Sequence, residues 1–288
     1  MKRFLIFVAA CLLAAAPLRG QDLAQRLSEE VGFLADSLQA GRGFGAAGTQ
    51  SSTFYLLRQL RAAGLRTTVQ SFSEGGRNGH NVVAVTPGWF RRYIVVGAYY
   101  DGLGTLEGRM YPGADSNGSG VAALINLAQR LPECCHGEVG IVFVAFDGHN
   151  ADLSGSRAFL ERYRGEIPIS LMVNLDILGS SQAPLRKNRP DYLIALGGER
   201  YRISLEAANR GPRLDLGYDY YGSKNFTDLF YRKVSDQRWF LDAGIPAVMF
   251  TSGITMDTNK PADTPDLLDY ALLERRVLLI ETWLRGML

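Results

Sequence analysis

Two stretches decide the fold: Val96-Gly97-Ala98-Tyr99-Tyr100-Asp101, and then Pro112-Gly113-Ala114-Asp115-Ser116-Asn117-Gly118-Ser119-Gly120. The first closes an apolar run from Tyr93 to Ala98, which predicts a strand covered on both faces. The second is a glycine-rich turn that opens a predicted helix from Gly118 to Leu131. A buried strand followed by a turn and a helix is the repeating unit of an α/β domain.

The same alternation continues along the chain. Strands are predicted at 67–72, 81–85, 139–146, 170–178, 192–196, 214–220 and 247–251, and helices at 22–41, 50–63, 156–163, 201–209, 236–242 and 267–288. A chain of 288 residues that is 47% hydrophobic can bury one large core. We therefore predict a single three-layer α/β/α domain over residues 21–288, with a mixed, mostly parallel central sheet.

Residues 1–20 form a predicted secretory signal peptide. Lys2 and Arg3 precede an apolar run from Phe4 to Pro17, and Gly20 supplies the small residue before the cleavage point. The apolar run is shorter than the roughly 20 residues that span a bilayer, so no transmembrane segment is expected after cleavage. We expect a secreted or periplasmic protein, with a lipid anchor through Cys11 as the minor alternative.

Composition argues against a nucleic-acid partner. The net charge of the full chain is +2. Removal of the predicted signal peptide takes away three basic residues and no acidic one, so the mature chain is slightly acidic. No block of Lys or Arg provides a footprint for nucleic acid. Cys134 and Cys135 are adjacent and lack the spacing of a metal clip, which leaves either a vicinal disulfide or two free thiols.

Three further motifs place polar side chains after apolar strands: Ala145-Phe146-Asp147-Gly148-His149-Asn150, Asn174-Leu175-Asp176, and Asn259-Lys260-Pro261-Ala262-Asp263-Thr264. In open α/β sheets, ligands bind outside the carboxyl ends of the strands. The side chains of Tyr99, Asp101, His149, Asn150 and Asp176 all follow such ends. The sequence therefore predicts the functional site at this edge of the sheet.

From about Asn81 onward, these five motifs in this order resemble the bimetallic zinc aminopeptidases, family twenty-eight of the metallopeptidases. That family also includes glutaminyl cyclases and the peptidase-like domain of the transferrin receptor. The resemblance implies a zinc-exopeptidase-like fold. It also implies the family chemistry, in which two zinc ions lower the pKa of a bridging water and a carboxylate acts as general base.

The resemblance implies five ligand positions, and Asp176 is the one that keeps a ligand's side chain. The other four carry a different side chain: Tyr99, Ser116, Asn150 and Asn259. Neutral Tyr, Ser and Asn are poor ligands for zinc, which favours His, Cys and carboxylates. We therefore predict no competent dinuclear site and no cofactor, whereas the active relatives use zinc. If a metal binds at all, Asp176 and His149 would hold it.

His149 stands at the implied position of the general base, so no catalytic residue is expected. Asp101 and Asp115 are the implied supporting carboxylates. Together with Asp176 they would repel one another without a cation, so we expect hydrogen bonds from the substituted side chains to satisfy them. Ser235-Asp236 matches a family motif that normally continues with histidine and here continues with Gln237; Asp236 is interpreted as a helix N-terminal carboxylate.

The predicted function is that of a catalytically inactive peptidase-like protein, which binds a peptide, an amino-acid derivative or a protein partner. The side chains implied to line its ligand pocket are aromatic: Tyr220, Tyr221, Phe226 and Phe230. The alternative is a metallo-exopeptidase or other hydrolase with a remodelled one-metal or metal-free site. A metal-free version would place Ser116 beside His149, with Asp176 or Asp147 as the third member.

Overall fold

The computed structural model describes residues 22–288, and the predicted signal peptide at 1–20 and Cys11 lie outside this range. The helices within it are α1 (Leu23–Ala35), α2 (Ala47–Ala62), α3 (Gly120–Arg130), α4 (Ser154–Tyr163), α5 (Arg202–Ala208), α6 (Lys224–Arg232), α7 (Gln237–Asp242) and α8 (Tyr270–Arg285). The strands are β1 (Arg66–Glu74), β2 (Arg77–Val85), β3 (Arg92–Tyr99), β4 (Gly104–Leu106), β5 (Arg109–Tyr111), β6 (Val139–Phe146), β7 (Ile169–Leu175), β8 (Tyr192–Leu196), β9 (Asp215–Gly217) and β10 (Ala247–Thr251).

Eight of these strands form one mixed sheet in the order β1-β2-β6-β3-β7-β10-β8-β9, and β4 and β5 form a separate hairpin. β3 runs parallel to both β6 and β7, β10 runs parallel to β7, and β8 runs parallel to β9. The remaining pairs, β1–β2, β2–β6 and β8–β10, are antiparallel. The prediction of a mixed, mostly parallel sheet is confirmed.

Helices cover both faces of the sheet. Successive side chains of a strand point to opposite faces, so Val95 and Val96 of β3 enter different cores. Val96 packs in the core formed with α1, α2, α3, α5 and α8, and Val95 packs in the core formed with α4 and α7. Every residue of β6 is buried, which explains why Val139–Phe146 is apolar throughout. The predicted three-layer arrangement is confirmed.

Several boundaries differ from the sequence-based expectation. The first predicted helix ends at Ala35, because Asp36 adopts an extended conformation before a short 3₁₀ turn over Ser37–Arg42. The β4–β5 hairpin and α6 were not predicted. Cys134 and Cys135 are free thiols. Within residues 22–288, no helix combines the length and apolar character needed to cross a membrane.

Candidate functional site

The substituted ligand positions lie together at the carboxyl edge of three neighbouring strands, β6, β3 and β7. Tyr99 is the last residue of β3, His149 follows β6, and Asp176 follows β7 directly. The loops after β5 and β10 add Ser116 and Asn259. We call this set the substituted centre: Tyr99, Ser116, His149, Asn150, Asp176 and Asn259. Tyr99, Ser116 and Asp176 are buried, whereas Asn150 and Asn259 are exposed.

The turn that carries Ser116 depends on Gly113 and Asp263. Gly113 has a φ of +61°, and a Cβ at this position would lie 2.6 Å from the Ser116 carbonyl oxygen, so only glycine fits without strain. The carboxylate of Asp263 accepts hydrogen bonds from the backbone N–H of Asp115 at 2.7 Å and of Ser116 at 3.0 Å. These bonds bring the loop containing Asn259 onto the turn.

Three of the four exchanged side chains form hydrogen bonds with one another. Ser116 Oγ donates to Asn259 Oδ1 at 3.0 Å and lies 3.2 Å from the Tyr99 hydroxyl. Burial, followed by the charge of Asp176, raises the pKa of Tyr99 well above its usual range, so its phenol is neutral at physiological pH. Three of the ligand positions that the resemblance implies thus carry neutral groups that hydrogen-bond to one another.

His149 carries a positive charge within this centre. Its ring stacks on Tyr99 with centroids 3.6 Å apart and planes 13° apart, and its Nδ1 lies 2.9 Å from Oδ2 of the fully buried Asp236. Burial lowers the pKa of His149, but the charge and hydrogen bond of Asp236, followed by the charges of Asp176 and Asp101, raise it to about 9. At neutral pH the residue is therefore an imidazolium whose Nδ1–H donates to Asp236.

Asp101, Asp115 and Asp176, which were expected to bond to the substituted side chains, bond mainly to other groups. Asp101 accepts from the backbone N–H of His149 and of Asn150 at 2.8 and 3.0 Å, and from Asn150 Nδ2 at 3.3 Å. Asp176 accepts from Ser235 Oγ at 2.5 Å, and Asp115 accepts from Ser119 Oγ at 2.8 Å and Gly179 N at 2.6 Å. Burial raises the pKa of all three carboxyls.

The expected hydrogen-bond partners were therefore right for Asp101, through Asn150, and wrong for Asp115 and Asp176. The Ser–His–Asp arrangement considered for a metal-free hydrolase is not formed, because Ser116 Oγ bonds to Tyr99 and Asn259, and the acid bonded to His149 is Asp236. Asp236 does lie at the N-terminus of α7, but its side chain makes no capping bond. The Ser235-Asp236 motif was the sequence signal for these partners, because Ser235 bonds to Asp176 and Asp236 bonds to His149.

Arg42 is a second residue that the sequence analysis missed. Its guanidinium is fully buried and donates to the carbonyl oxygens of Tyr100 at 2.8 Å, Pro112 at 2.8 Å and Gly113 at 2.9 Å, as well as to that of Leu34. Burial lowers the pKa of Arg42 to about 10, so it remains a cation at neutral pH. This side chain joins the end of β3 to the turn that carries Ser116.

An aromatic surface borders the centre, and we define it by the four predicted pocket residues: Tyr220, Tyr221, Phe226 and Phe230. Tyr220 stacks on Phe230 at 4.3 Å and meets Tyr221 edge-on at 4.8 Å. Phe226 is 55% exposed and Tyr221 is 41% exposed. Gln237 links the surface to the centre, because its Nε2 donates to the Phe230 carbonyl oxygen at 2.9 Å and its Oε1 accepts at 2.7 Å from Asn174, two residues before Asp176.

The donor set at the centre does not fit a dinuclear zinc site. A neutral phenol, a hydroxyl and two amides occupy four ligand positions, and the imidazolium of His149 has no free lone pair on Nδ1. Within residues 22–288, no group of three or more His, Cys, Asp or Glu side chains is arranged to hold a metal ion. One carboxylate cannot bridge and neutralise two divalent cations.

Comparison with known proteins defines the class. The profile of Peptidase family M28 matches residues 81–283. The chain is 29% identical to the protein YfbL of Escherichia coli (strain K12) over 273 residues, which cover 85% of this chain and 83% of that protein. It is 28% identical to the probable lipoprotein aminopeptidase LpqL of Mycobacterium tuberculosis over 213 residues, which cover 73% of this chain and 41% of that protein.

Solved structures share the fold at low identity. The zinc aminopeptidase BSAP from Bacillus subtilis aligns with a TM-score of 0.74 and 14% identity, covering 93% of this chain and 96% of that one. The glutaminyl cyclase of Porphyromonas gingivalis aligns with a TM-score of 0.72 and 16% identity, covering 93% of this chain and all of that one. The chain belongs to Peptidase family M28 and has the zinc aminopeptidase-like fold.

Proposed function

We propose that this chain is a secreted, non-hydrolytic member of Peptidase family M28 that binds a peptide or an amino-acid derivative beside the substituted centre. One observation carries the proposal: the positive charge that faces Asp101, Asp176 and Asp236 is the imidazolium of His149. Carboxylates that converge in a buried site repel one another unless a cation lies among them. A protonated His149 would supply that cation, which supports a centre that does not need zinc.

The same observation argues against hydrolysis by the family route. A general base must be able to accept a proton at the working pH, and a histidine with a pKa of about 9 is already protonated near neutrality. The dinuclear ligand set that lowers the pKa of water is also missing. What remains at the rim is the aromatic surface, an exposed apolar wall of the kind that ligand pockets use.

A metal-free hydrolase is the second candidate, and the His149–Asp236 pair is the observation that favours it. A histidine oriented by a buried carboxylate is a common acid–base unit. With a pKa of about 9, this unit would act as a base only in alkaline solution. Activity that rises through pH 9 and is abolished in the His149→Gln variant would support this candidate.

Metal content and peptidase activity test the first proposal. We expect purified protein to contain far less than one zinc per chain by elemental analysis. We also expect aminoacyl p-nitroanilides to remain uncleaved after zinc or cobalt is added, with a zinc aminopeptidase of the family as positive control. Stoichiometric metal together with turnover would contradict the proposal.

Thermal-shift screening tests the binding role directly. A ligand that binds the native state and not the unfolded chain raises the melting temperature. We expect short peptides with an apolar residue to produce such a shift, and polyalcohols of the same size to produce none. If no peptide, amino-acid derivative or protein partner binds, the proposed function is wrong.

A further inference from the structure

A cavity of about 530 Å³ opens beside Asn150, at the margin of the substituted centre. Two chain segments, residues 40–46 and 102–106, form most of its wall. Arg77, at the start of β2, is the one charged residue among those that line it, and none of them is acidic. We call this space the glycine-walled cavity.

Part of the wall is bare backbone, at Gly43, Gly102 and Gly104, because two segments approach too closely there for side chains. Gly43 and Gly102 form an isolated parallel bridge. A Cβ at Gly102 would lie 2.4 Å from the Gly41 carbonyl oxygen, and one at Gly43 would lie 3.2 Å from the Gly104 Cα. Glycine is therefore required by packing, and the consequence is a space that no side chain of the wall fills.

Arg77 faces this space without an acidic partner. Its neighbour across the β1–β2 ladder is Glu74, but the Glu74 carboxylate pairs with Arg157 at 2.5 Å instead. Within residues 22–288, no carboxylate lies at ion-pair distance from Arg77. The guanidinium lies 5.1 Å from the Phe44 ring centroid, and Nη1 donates to the Phe44 carbonyl oxygen at 3.4 Å. These contacts hold the cation against the cavity and leave its other N–H groups available.

We propose that the glycine-walled cavity binds a carboxylate group of the ligand through Arg77. The ligand class is a peptide with a free C-terminal carboxylate, or an amino-acid derivative that carries one. A guanidinium presents parallel N–H donors that match the two oxygens of a carboxylate. The cavity has no acid to repel this group, and Leu103 and Leu106 provide apolar contacts beside it.

Asn150 connects this cavity to the rest of the proposed site. It lines the cavity, and its side chain donates to Asp101 within the centre. A ligand anchored at Arg77 would therefore extend past Asn150 towards His149, the preceding residue in the chain. The inference rests on the proposed binding function and specifies which end of the ligand is recognised.

Matched peptides test the inference by isothermal titration calorimetry with the mature chain. Tripeptides containing Phe and Leu are compared as free acids and as C-terminal amides. We expect the free acid to bind about tenfold more tightly, and the Arg77→Gln variant to lose this preference, because a charge-assisted pair contributes roughly 1.5 kcal/mol or more. Arg92→Gln, at an exposed arginine outside the cavity, is the control and should retain the preference.

Three results would overturn the inference. If acid and amide bind the wild-type protein equally, or if Arg77→Gln keeps the preference, Arg77 does not recognise a carboxylate, although the proposed binding function stands. If neither form binds, the inference fails, and the thermal-shift screen decides whether the proposed function fails with it. Arg77 is exposed on a hairpin, so its variant should melt within a few degrees of the wild type, which circular dichroism checks.

Discussion

The substituted centre and the glycine-walled cavity adjoin each other at Asn150, but they differ in whether their polar side chains have partners within the protein. At the centre, Ser116 bonds to Asn259, and the charge of His149 is met by Asp236. In the cavity, the Arg77 guanidinium has no carboxylate partner in the described chain, and none of the residues that line the wall is acidic. The difference is that the buried side chains of the centre bond within the protein, whereas the cation of the cavity is free to meet a ligand, as our proposal requires.

The largest expected effect comes from breaking the centre at Asp236. Asp236→Ala should lower the free energy of unfolding by about 3 kcal/mol, because it leaves the buried imidazolium of His149 without its partner. Urea denaturation measures the loss. Asp242→Asn is the matched control on the same helix, since the Asp242 side chain is 63% exposed and its ion pair with Arg238 is long, at 3.9 Å. If the free energy of unfolding falls equally little in both variants, Asp236 is not the partner that stabilises the charge of His149.

Alkaline pH should weaken the centre without any mutation. The pKa of His149 is raised from 6.5 to about 9 on folding, so its stabilising contribution is complete below pH 6.5 and is lost progressively as pH rises towards 9. The groups that face it are Asp236, Asp176, Asp101 and the Tyr99 ring. At 1.36 kcal/mol per pKa unit, the full loss is at most about 3.4 kcal/mol.

The measurement for this prediction is the unfolding free energy between pH 7 and pH 9.5, compared with that of His149→Gln. Burial also raises the pKa of Asp147, to about 7, so its titration contributes mainly below this window. The variant should show a flatter profile than the wild type above pH 7. Parallel profiles would mean that His149 is not the charge that stabilises the centre.

The smallest effect on stability is expected at the aromatic surface. Phe226→Ser should change the free energy of unfolding by less than about 0.5 kcal/mol, because the side chain is 55% exposed and α6 contains no buried residue. Affinity for apolar peptides should fall about tenfold if this ring contacts the ligand. Trp89→Ser, at a 96% exposed aromatic residue, is the control and should leave affinity unchanged. Equal affinities for the two variants would exclude Phe226 from the binding surface.

The sequence predicted the centre of the sheet best. The apolar runs at 139–146, 192–196 and 247–251 coincide with β6, β8 and β10, because strands buried on both faces leave a continuous hydrophobic pattern. The β4–β5 hairpin was missed because it is short and mostly exposed. α6 was missed although Phe226, Leu229 and Phe230 stand at helical spacing, because the segment is short and its aromatic residues favour strand by propensity.

At the site, the sequence predicted the positions of the residues better than their hydrogen-bond partners. Motifs at strand ends brought Tyr99, His149 and Asp176 to one edge, since topology alone determines that position. Their hydrogen-bond partners come from Ser235 and Asp236, which are remote in sequence and lie on a loop and helix start whose orientation no periodicity reveals. Arg42 gave no signal, because a fully buried arginine is rare and is recognised only when its carbonyl partners are seen.

Arg42 has a consequence for how this fold can change its chemistry. In a site assembled around a metal, loss of one ligand releases the loops that the metal held. Here the loops that follow β3 and β5 are tied by a guanidinium bonded to main-chain oxygens, which no side-chain exchange at the centre can remove. The tie is therefore independent of which side chains stand at the implied ligand positions. The same independence makes the chain a suitable host for engineering, in which histidines and carboxylates are returned stepwise to positions 99, 116, 150 and 259.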